Sequence, residues 1–331
     1  MRHAPMAAGA PRPKGRTRPG DLIFRGLTGA SAFGVLGIFV LSILLLIEAS
    51  QKSLARWGPG FLWGQVWNPN GTPSSPEVFG ALPAVLGTVE TSFLAMLIAV
   101  PLSLGIAVFL TELSPSWLRG PFSFVIELLA AIPSVVFGIW GALFLVPYMG
   151  TSVDPGLAAT VGRVPVLGAP FAPSPVGYTG DGSLTAGIIL AIMVIPTVAA
   201  ISREAFKAVP NDLREAALSL GATRWETTRL AVLPYAKRGV LGAITLGLGR
   251  AIGETIAVVL VIGNSYTIAR SLYAPSVTIA SWIANAFGES SGLEREGLLE
   301  LGLVLLGLSL LVNIAARIIL RRSVFTEGMG T

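Results

Sequence analysis

Two charged residues, Arg250 and Glu254, interrupt the apolar segment near 239–263. If this segment is a membrane-spanning helix, a rise of ~1.5 Å per residue from Arg238 puts Arg250 about 18 Å and Glu254 about 24 Å into the bilayer. Each charge at that depth costs roughly 2.5–3.5 kcal/mol. A spacing of four residues puts both side chains on one helix face, where they can pair. The pattern indicates either a buried ion pair that fixes helix packing or an arginine that meets an anion in transit.

The second interpretation assigns a specific chemistry to Arg250. A guanidinium group suits a tetrahedral oxyanion, because its planar fork of N–H donors matches two oxygens at once. In this interpretation Glu254 keeps Arg250 paired when no cargo is present and repels competing anions. Gly249 and Gly253 lie beside the pair, and small residues allow helices to approach closely. We therefore expect this face to point into a helix bundle.

The elements that must position this pair are apolar helices. Of the 331 residues, 53% are hydrophobic and 12% are charged, and a soluble domain carries about twice that charged fraction. Apolar runs long enough to cross a ~30 Å hydrocarbon core recur along the chain. We expect an all-α membrane protein whose transmembrane domain covers 22–325. The predicted spans lie near 26–47, 84–110, 122–147, 184–202, 239–263 and 298–318.

Lys and Arg residues predict the orientation of these spans. Most of the 23 basic residues fall in the N-terminal tail 1–21 and in the polar segment 203–238, or beside the C-terminal tail 326–331. This distribution predicts a multi-pass protein of the cell membrane with both tails in the cytoplasm. The tail 1–21 is rich in Arg, Pro and Gly, a composition typical of disorder. The basic residues flank spans, so they favour contact with the lipid bilayer and give no support for nucleic-acid binding.

The composition also excludes several kinds of site. The chain has no cysteine, so it can form neither disulfides nor thiolate metal sites. Its one histidine, His3, lies in the N-terminal tail. Imidazole catalysis therefore has no candidate in the body of the chain, and we expect no catalytic residue, no metal site and no cofactor.

Prolines stand inside three predicted spans, at Pro101, Pro133 and Pro196. Each removes a backbone donor and kinks a helix. The simpler interpretation is a bundle of bent helices. The alternative is that residues 132–134 and 195–197 line a path that opens and closes. Residues 148–183, rich in Pro and Gly, are predicted to form a long outer loop.

The polar segment 203–238 predicts two short helices joined at Gly221. Asp212 is the expected N-cap of the first helix, and Gly221 can adopt the left-handed conformation that ends it. Thr223 opens a Thr-Arg-Trp-Glu capping box with Glu226 as its partner. The second helix is expected to run toward Leu233-Pro234.

The first of these helices presents small side chains. Ala216, Ala217 and Gly221 form a smooth protrusion next to Glu215, and the side chains expected to ring it are those of Arg214, Arg224, Trp225 and Arg229. Such a protrusion suits the cleft of a soluble protein. The alternative is an amphipathic helix that lies on lipid headgroups.

This spacing resembles a signature of the permease subunits of ABC importers. Residues 215–217 match its Glu-Ala-Ala, Gly221 follows at the right distance, and 233–234 match its Leu-Pro. The resemblance implies the type I ABC importer permease fold, with a coupling helix around Glu215, Ala216, Ala217 and Gly221 that docks in an ATPase. The chain has no Gly-Lys dipeptide and hence no Walker A loop. It is therefore not expected to be an enzyme, and a separate ATPase subunit is implied.

The sequence around the charged pair narrows the resemblance. Arg250-Ala-Ile-Gly-Glu-Thr-Ile-Ala-Val258, with Gly263-Asn264 shortly after, resembles the PstC-type permease of phosphate-specific ABC importers, as does the run 132–138. The resemblance implies import of inorganic phosphate and a substrate path that includes Arg250, Glu254 and Thr255. It also implies a PstA-like second permease, a pair of PstB-like ATPase subunits and an external PstS-like phosphate-binding protein.

Three other functions stay open at the level of sequence. An ABC permease for another oxyanion, such as sulfate or molybdate, would share the same motifs. An autonomous secondary carrier or channel would move cargo without ATP and is expected to show internal repeats, which are not convincing here. A membrane scaffold without transport activity leaves the charged pair unexplained.

Overall fold

The structure, a computed structural model, describes residues 19–325 except residues 73, 166–167 and 174–176. The described residues form α-helices, short helical turns and isolated β-bridges, which confirms the all-α prediction. The helices are α1 (Pro19–Ala49), α2 (Gln51–Trp57), α3 (Leu82–Val108), α4 (Ser116–Ala131), α5 (Ser134–Trp140), α6 (Val146–Tyr148), α7 (Asp154–Thr160), α8 (Ser183–Lys207), α9 (Asn211–Ser219), α10 (Arg224–Thr227), α11 (Leu233–Gly253), α12 (Ile256–Val259), α13 (Ile279–Ala286) and α14 (Gly292–Phe325).

The chain divides into two compact units after Glu48. The first unit contains most of α1, whose side chains are mostly apolar and are exposed around the helix. A helix that is apolar all round is suited to hydrophobic surroundings. Helix α1 starts at Pro19, so the predicted tail 1–21 is shorter by three residues at its end. Residues 1–18 and 326–331, the rest of the two predicted tails, lie outside the described residues.

Within the described residues, five helices are long and apolar enough to cross a membrane. The remaining predicted span, 239–263, corresponds to α11 and α12. It is not among the five helices, because α11 carries three charged residues, Lys237, Arg238 and Arg250, and ends at Gly253. The count of six spans therefore stays a prediction. The five helices cover Gly20–Ala49, Leu82–Leu113, Ser134–Arg163, Ser183–Lys207 and Gly292–Ile318.

No single helix runs through the predicted span 122–147, because α4 ends and α5 begins inside it. Helix α4 ends at Ala131, and Ile132 and Pro133 are both extended, with ψ of 128° and 142°. A proline disfavours the helical conformation of the preceding residue and offers no N–H to the helix. Pro133 therefore ends one helix and starts another. Pro101 and Pro196, in contrast, lie inside the continuous helices α3 and α8, as predicted.

The loop predicted over 148–183 is helical in its first half. Helices α5, α6 and α7 follow one another through two π-helical turns, so that helix continues from Ser134 to Arg163. Pro155 comes just after the π-helical turn Met149–Val153, where the regular hydrogen-bond pattern of the helix is already interrupted. The described residues between Arg163 and Ser183 contain one further short helical turn, Ala169–Phe171. Of the prolines in this segment, Pro155 was therefore misleading as a loop signal, whereas the others come after the helix has ended.

The main hydrophobic core lies between α3, α8 and α11. Leu190 and Val194 of α8 are buried against Ala95 and Ala99 of α3, and Ala243 of α11 belongs to the same cluster. Alanines in α3 and α11 allow these helices to approach α8 closely, since packing between membrane helices favours small residues. This three-helix core is the frame that positions Arg250.

Candidate functional site

Arg250 lies in the last turn of α11 and reaches across to α8. Its Nη1 donates a hydrogen bond to Thr197 Oγ1 at 3.0 Å. Gly247, one turn earlier in α11, makes this approach possible, because a Cβ at that position would lie only 2.5 Å from Val198 Cγ2. The close contact of the two helices therefore brings the guanidinium within reach of the threonine.

Thr197 is positioned by a proline-containing part of α8. Pro196 precedes it inside the helix and contributes no backbone N–H. The carbonyl of Ile195 accepts a hydrogen bond from Ser103 Oγ of α3 at 3.1 Å. Ser103 itself lies two residues after Pro101. Helices α3, α8 and α11 are thus joined by polar contacts close to two of the three predicted proline positions.

The predicted pairing of Arg250 with Glu254 is wrong in this structure. Pairing at a spacing of four residues requires a helix through both positions, but α11 ends at Gly253 and Glu254 is extended, with ψ of 129°. Glycine favours such an end because it loses the most backbone freedom in a helix. Among the described residues, Arg250 and Glu254 form no ion pair within 4.0 Å.

The local arrangement leaves Arg250 charged and only partly hydrogen-bonded. A guanidinium group has five N–H donors, and one of them is used by the neutral hydroxyl of Thr197. Arg250, Glu254 and Thr255 are all half-buried. The Thr255 hydroxyl donates to the Gly253 carbonyl at 3.2 Å. A neutral partner orients the guanidinium without cancelling its charge, so the remaining donors suit an anion.

The second predicted region is the docking surface around α9, and this helix ends at Gly221 as the sequence predicts. Gly221 has a φ of +87°, the left-handed conformation predicted for it. Its N–H donates to Leu218 O at 3.0 Å, and the Ala222 N–H donates to Ala217 O at 3.2 Å. These two bonds form a Schellman motif, which satisfies the last carbonyls of the helix.

The capping box at the start of α10 is confirmed. Glu226 N–H donates to Thr223 Oγ1, and the Glu226 carboxylate accepts from the Thr223 N–H and hydroxyl, both at 2.8 Å. These bonds lower the pKa of Glu226, the backbone bond contributing most. The predicted N-cap at Asp212 is wrong: α9 begins at Asn211, after Pro210, and no side chain caps it. Pro210 starts the helix two residues early because its φ of −57° is already close to the helical value.

Arg214 was predicted to lie beside the exposed face of α9, but its side chain points to the other side of the helix. Its Nε and Nη2 bind the two oxygens of Glu112 at 3.2 and 2.9 Å. Its Nη2 also donates to Phe206 O at 2.8 Å, and its Nη1 donates to Val209 O at 2.6 Å. The side chains of Arg214 and Glu112 are 19% and 10% exposed. Arg214 therefore fastens α9 to the ends of α3 and α8.

The opposite face of α9 is open. Glu215, Ala216 and Gly221 are exposed, and Ala217 is half-buried. Leu220, next to Gly221, is 88% exposed. The structure thus brings the four predicted docking residues to one small surface. The large apolar side chains exposed nearby are Leu213, Leu218, Trp225 and Leu230.

Residues 99–324 match the profile of a protein family, the inner membrane component of binding-protein-dependent transport systems. The chain belongs to this family. The matched residues of this inner membrane component run from the core helix α3 to the end of α14 and include both regions described above.

Relatives of this inner membrane component are similar over nearly their whole length. It is 45% identical to the phosphate transport system permease protein PstC of Pasteurella multocida, over 93% of this chain and 94% of that protein. It is 42% identical to PstC of Haemophilus influenzae, over 93% and 95% of the two chains. It is 39% identical to PstC 1 of Mycobacterium tuberculosis, over 81% and 80%.

Solved structures of ABC transporters have the same fold. A chain of a bacterial alginate ABC transporter, in complex with an alginate-bound periplasmic protein, is 16% identical and covers 93% of this chain and 98% of its own, with a TM-score of 0.60. A chain of the inward-facing MetNI methionine ABC transporter is 19% identical and covers 72% and 94%, with a TM-score of 0.51. At this identity the similarity concerns the fold alone.

The sequence did not reveal the roles of two residues, Thr197 and Glu112. Thr197 was assigned to a possible path but not to Arg250, from which it is 53 residues distant. Glu112 was not singled out, although it binds Arg214 across 102 residues. Neither contact leaves a local signal. The one available hint for Glu112 is a carboxylate at the end of an apolar helix, opposite a cluster of basic residues.

We expect Arg214→Met to loosen α9 from the membrane helices. The change leaves the largely buried Glu112 without its partner, which costs about 3–5 kcal/mol for a buried pair. Thermal unfolding of the purified full transporter is expected to start at a lower temperature, and ATP-driven uptake is expected to fall.

Arg163→Met is the matched control, because Arg163 is exposed and lies neither in this network nor around α9. It is expected to unfold and transport like the wild type. Equal behaviour of Arg214→Met and Arg163→Met would contradict the anchoring role of Arg214.

Proposed function

We propose that this chain is the membrane permease subunit of an ATP-driven importer that translocates inorganic phosphate into the cytoplasm. The observation that carries the proposal is Arg250, a half-buried guanidinium that is held by a neutral hydroxyl and has no ion-pair partner among the described residues. The similarity to proteins named phosphate transport system permease supports the choice of cargo.

The proposed contact has a physical basis in the cost of a charge in a membrane. An unpaired arginine near the bilayer centre costs roughly 2.5–3.5 kcal/mol. An anion that binds there offsets this cost, and a tetrahedral oxyanion presents oxygens at the spacing of the guanidinium fork. Phosphate would therefore bind to Arg250 most strongly where the unpaired charge of this side chain costs the most free energy.

Glu254 and Thr255 complete the proposed path. They lie where α11 ends, and Glu254 is the carboxylate nearest to Arg250 in the sequence. We propose that Glu254 pairs with Arg250 after the cargo has left, which requires the helix to extend by one turn. Glu254 would thus replace phosphate as the anion that pairs with Arg250 in each transport cycle.

The energy for the cycle is proposed to come from a separate ATPase. The chain contains no Gly-Lys dipeptide and so has no Walker A loop. The exposed surface formed by Glu215, Ala216, Ala217 and Gly221 is proposed to dock in a PstB-like ATPase pair. A PstA-like permease would supply the other half of the path, and a PstS-like protein would deliver phosphate from outside.

The orientation follows from the same assignment. The exposed face of α9 would lie in the cytoplasm together with both termini, as the distribution of Lys and Arg predicts. The multi-pass chain would thus present residues 203–238 to the ATPase and the loops at the other end of α8 to the binding protein.

The test is uptake of labelled phosphate at micromolar concentration in cells that lack the gene. Deletion is expected to abolish high-affinity uptake, and a plasmid copy is expected to restore it. Unchanged phosphate uptake with lost sulfate or molybdate uptake would overturn the choice of cargo. Phosphate flux without ATP, in liposomes that contain this chain alone, would overturn the ATP-driven mechanism.

A further inference from the structure

Two aspartates lie together at the end of α8 opposite α9. Asp154 begins α7, and Asp181 stands two residues before α8. Asp154 is 1% exposed, and the Oδ1 atoms of both carboxylates are buried without a hydrogen-bond partner. The backbone brings the two residues together: a Cβ at Gly180, next to Asp181, would lie 2.6 Å from the backbone nitrogen of Gly150, one helical turn before Asp154. No Lys or Arg of the described residues forms an ion pair with either carboxylate.

Glycines hold the surrounding backbone in tight contact. A Cβ at Gly150 would lie 2.9 Å from Tyr178 O, so the segment before Asp181 lies directly on the helix that carries Asp154. A Cβ at Gly263 would lie 2.5 Å from Asp181 Oδ2. The Asp181 carboxylate therefore packs directly on the backbone of the segment that follows α12, and three parts of the chain meet here.

Tyr273 contributes a third unpartnered group. Its side chain is 1% exposed, its hydroxyl has no hydrogen-bond partner, and its ring lies 5.9 Å from that of Tyr178. Burial, the charge of Asp154 and Tyr178 raise the pKa of Tyr273 to about 12. The hydroxyl is therefore neutral. The charge of Asp154 acts on it, but it forms no hydrogen bond with that carboxylate. Asn264, next to Gly263, likewise has a buried and unpartnered Oδ1.

Buried carboxylates are stable only when a charge or a proton compensates them. We propose that Asp154 and Asp181 bind a hard divalent cation of the Ca²⁺ type, with neutral oxygens of this cluster and water as further ligands. Calcium takes six to eight oxygen ligands in flexible geometry and accepts neutral oxygens beside carboxylates. A double positive charge would balance both aspartates at once.

This site goes beyond the proposed function and does not depend on the cargo. The sequence predicted no metal site, because the chain has no cysteine and its one histidine lies in the N-terminal tail. Within the described residues no group of three acidic, His or Cys side chains gathers, so the proposed site has two carboxylates and takes its other ligands from neutral oxygens. The cation would tie the helix Ser134–Arg163 to the start of α8 and to the segment that carries Tyr273. It would thereby fix the end of the bundle that faces outward in the proposed orientation.

The test uses the purified full transporter treated with EGTA. At pH 7, added Ca²⁺ is expected to raise the unfolding temperature. Half of the effect is expected at a Ca²⁺ concentration of about 10⁻⁴–10⁻³ M, the range of extracellular calcium modules. Tb³⁺ is expected to bind at the same place and to emit on excitation of the neighbouring tyrosines, and Ca²⁺ is expected to displace it.

Variants separate the site from a general effect of Ca²⁺. Asp181→Asn removes one repelling charge, so it is expected to be at least as stable as the wild type in EGTA but to gain nothing from Ca²⁺. Glu289→Gln, the same kind of change at an exposed position, is expected to keep the full response. Failure of the wild type to respond to Ca²⁺ would overturn the proposal. An equal response in Asp181→Asn, or stabilisation by acid alone, would overturn it as well.

Discussion

We expect Arg250→Gln to lower ATP-driven phosphate uptake about a hundredfold or more while the transporter still assembles. The reason is that a hydrogen bond to a charged group contributes about 1.5–3 kcal/mol, so losing two of them costs about 3–6 kcal/mol, and every 1.4 kcal/mol is about tenfold. Glutamine retains two N–H donors and can still bind Thr197, so the fold is expected to survive. The measurement is the initial rate of labelled phosphate entry into proteoliposomes, with assembly checked by co-purification of all subunits.

Two further variants show whether the charge itself is responsible. Arg295→Gln makes the same change at an exposed position and is expected to transport normally. Thr197→Val removes the acceptor of Arg250 and is expected to raise the KM for phosphate more than it lowers kcat, with Thr197→Ser restoring both. Near-normal uptake by a correctly assembled Arg250→Gln transporter would rule out anion contact at this residue.

We expect Gly221→Val to uncouple ATP hydrolysis from phosphate uptake. Gly221 has a φ of +87° and open space around the position of a Cβ. A left-handed conformation costs roughly 1–2 kcal/mol for an ordinary residue and more for a β-branched one. Valine therefore alters the end of α9 and also adds bulk to the proposed docking surface. The measurement is the number of ATP molecules hydrolysed per phosphate imported, which is expected to rise severalfold.

Gly221→Asn separates the two causes, because asparagine tolerates the left-handed conformation while still adding a side chain. If backbone strain dominates, its coupling is expected to be close to normal. Gly288→Val is the control at an exposed glycine without a positive φ. A wild-type ratio of ATP to phosphate in Gly221→Val would show that this surface does not transmit the effect of ATP.

Features encoded within one or two helical turns were predictable from the sequence. The capping box of Thr223 and Glu226 and the left-handed Gly221 each depend on residues a few positions apart, and both are present. The apolar runs also predicted most of the long helices, because a stretch of apolar residues signals a span without any knowledge of its neighbours.

Features that depend on distant parts of the chain were not predictable. Gly253 ends α11 and so separates Glu254 from Arg250, but Gly242, Gly247 and Gly249 lie inside the same helix, so the sequence did not single Gly253 out as its end. Arg214 looked like an exposed residue because Glu112, which binds it, lies 102 residues earlier. Pro133 was expected to bend a helix, yet Pro133 separates two helices whereas Pro101 and Pro196 do not.

The anchoring of α9 by one arginine determines how a force can travel through this subunit. The same guanidinium holds Glu112, just after α3, and the carbonyls of Phe206 and Val209 at the end of α8. A displacement of α9 would therefore be passed to both helices through this one side chain. Because α8 also carries the hydroxyl that orients Arg250, binding of the proposed ATPase at α9 would change the surroundings of that charge.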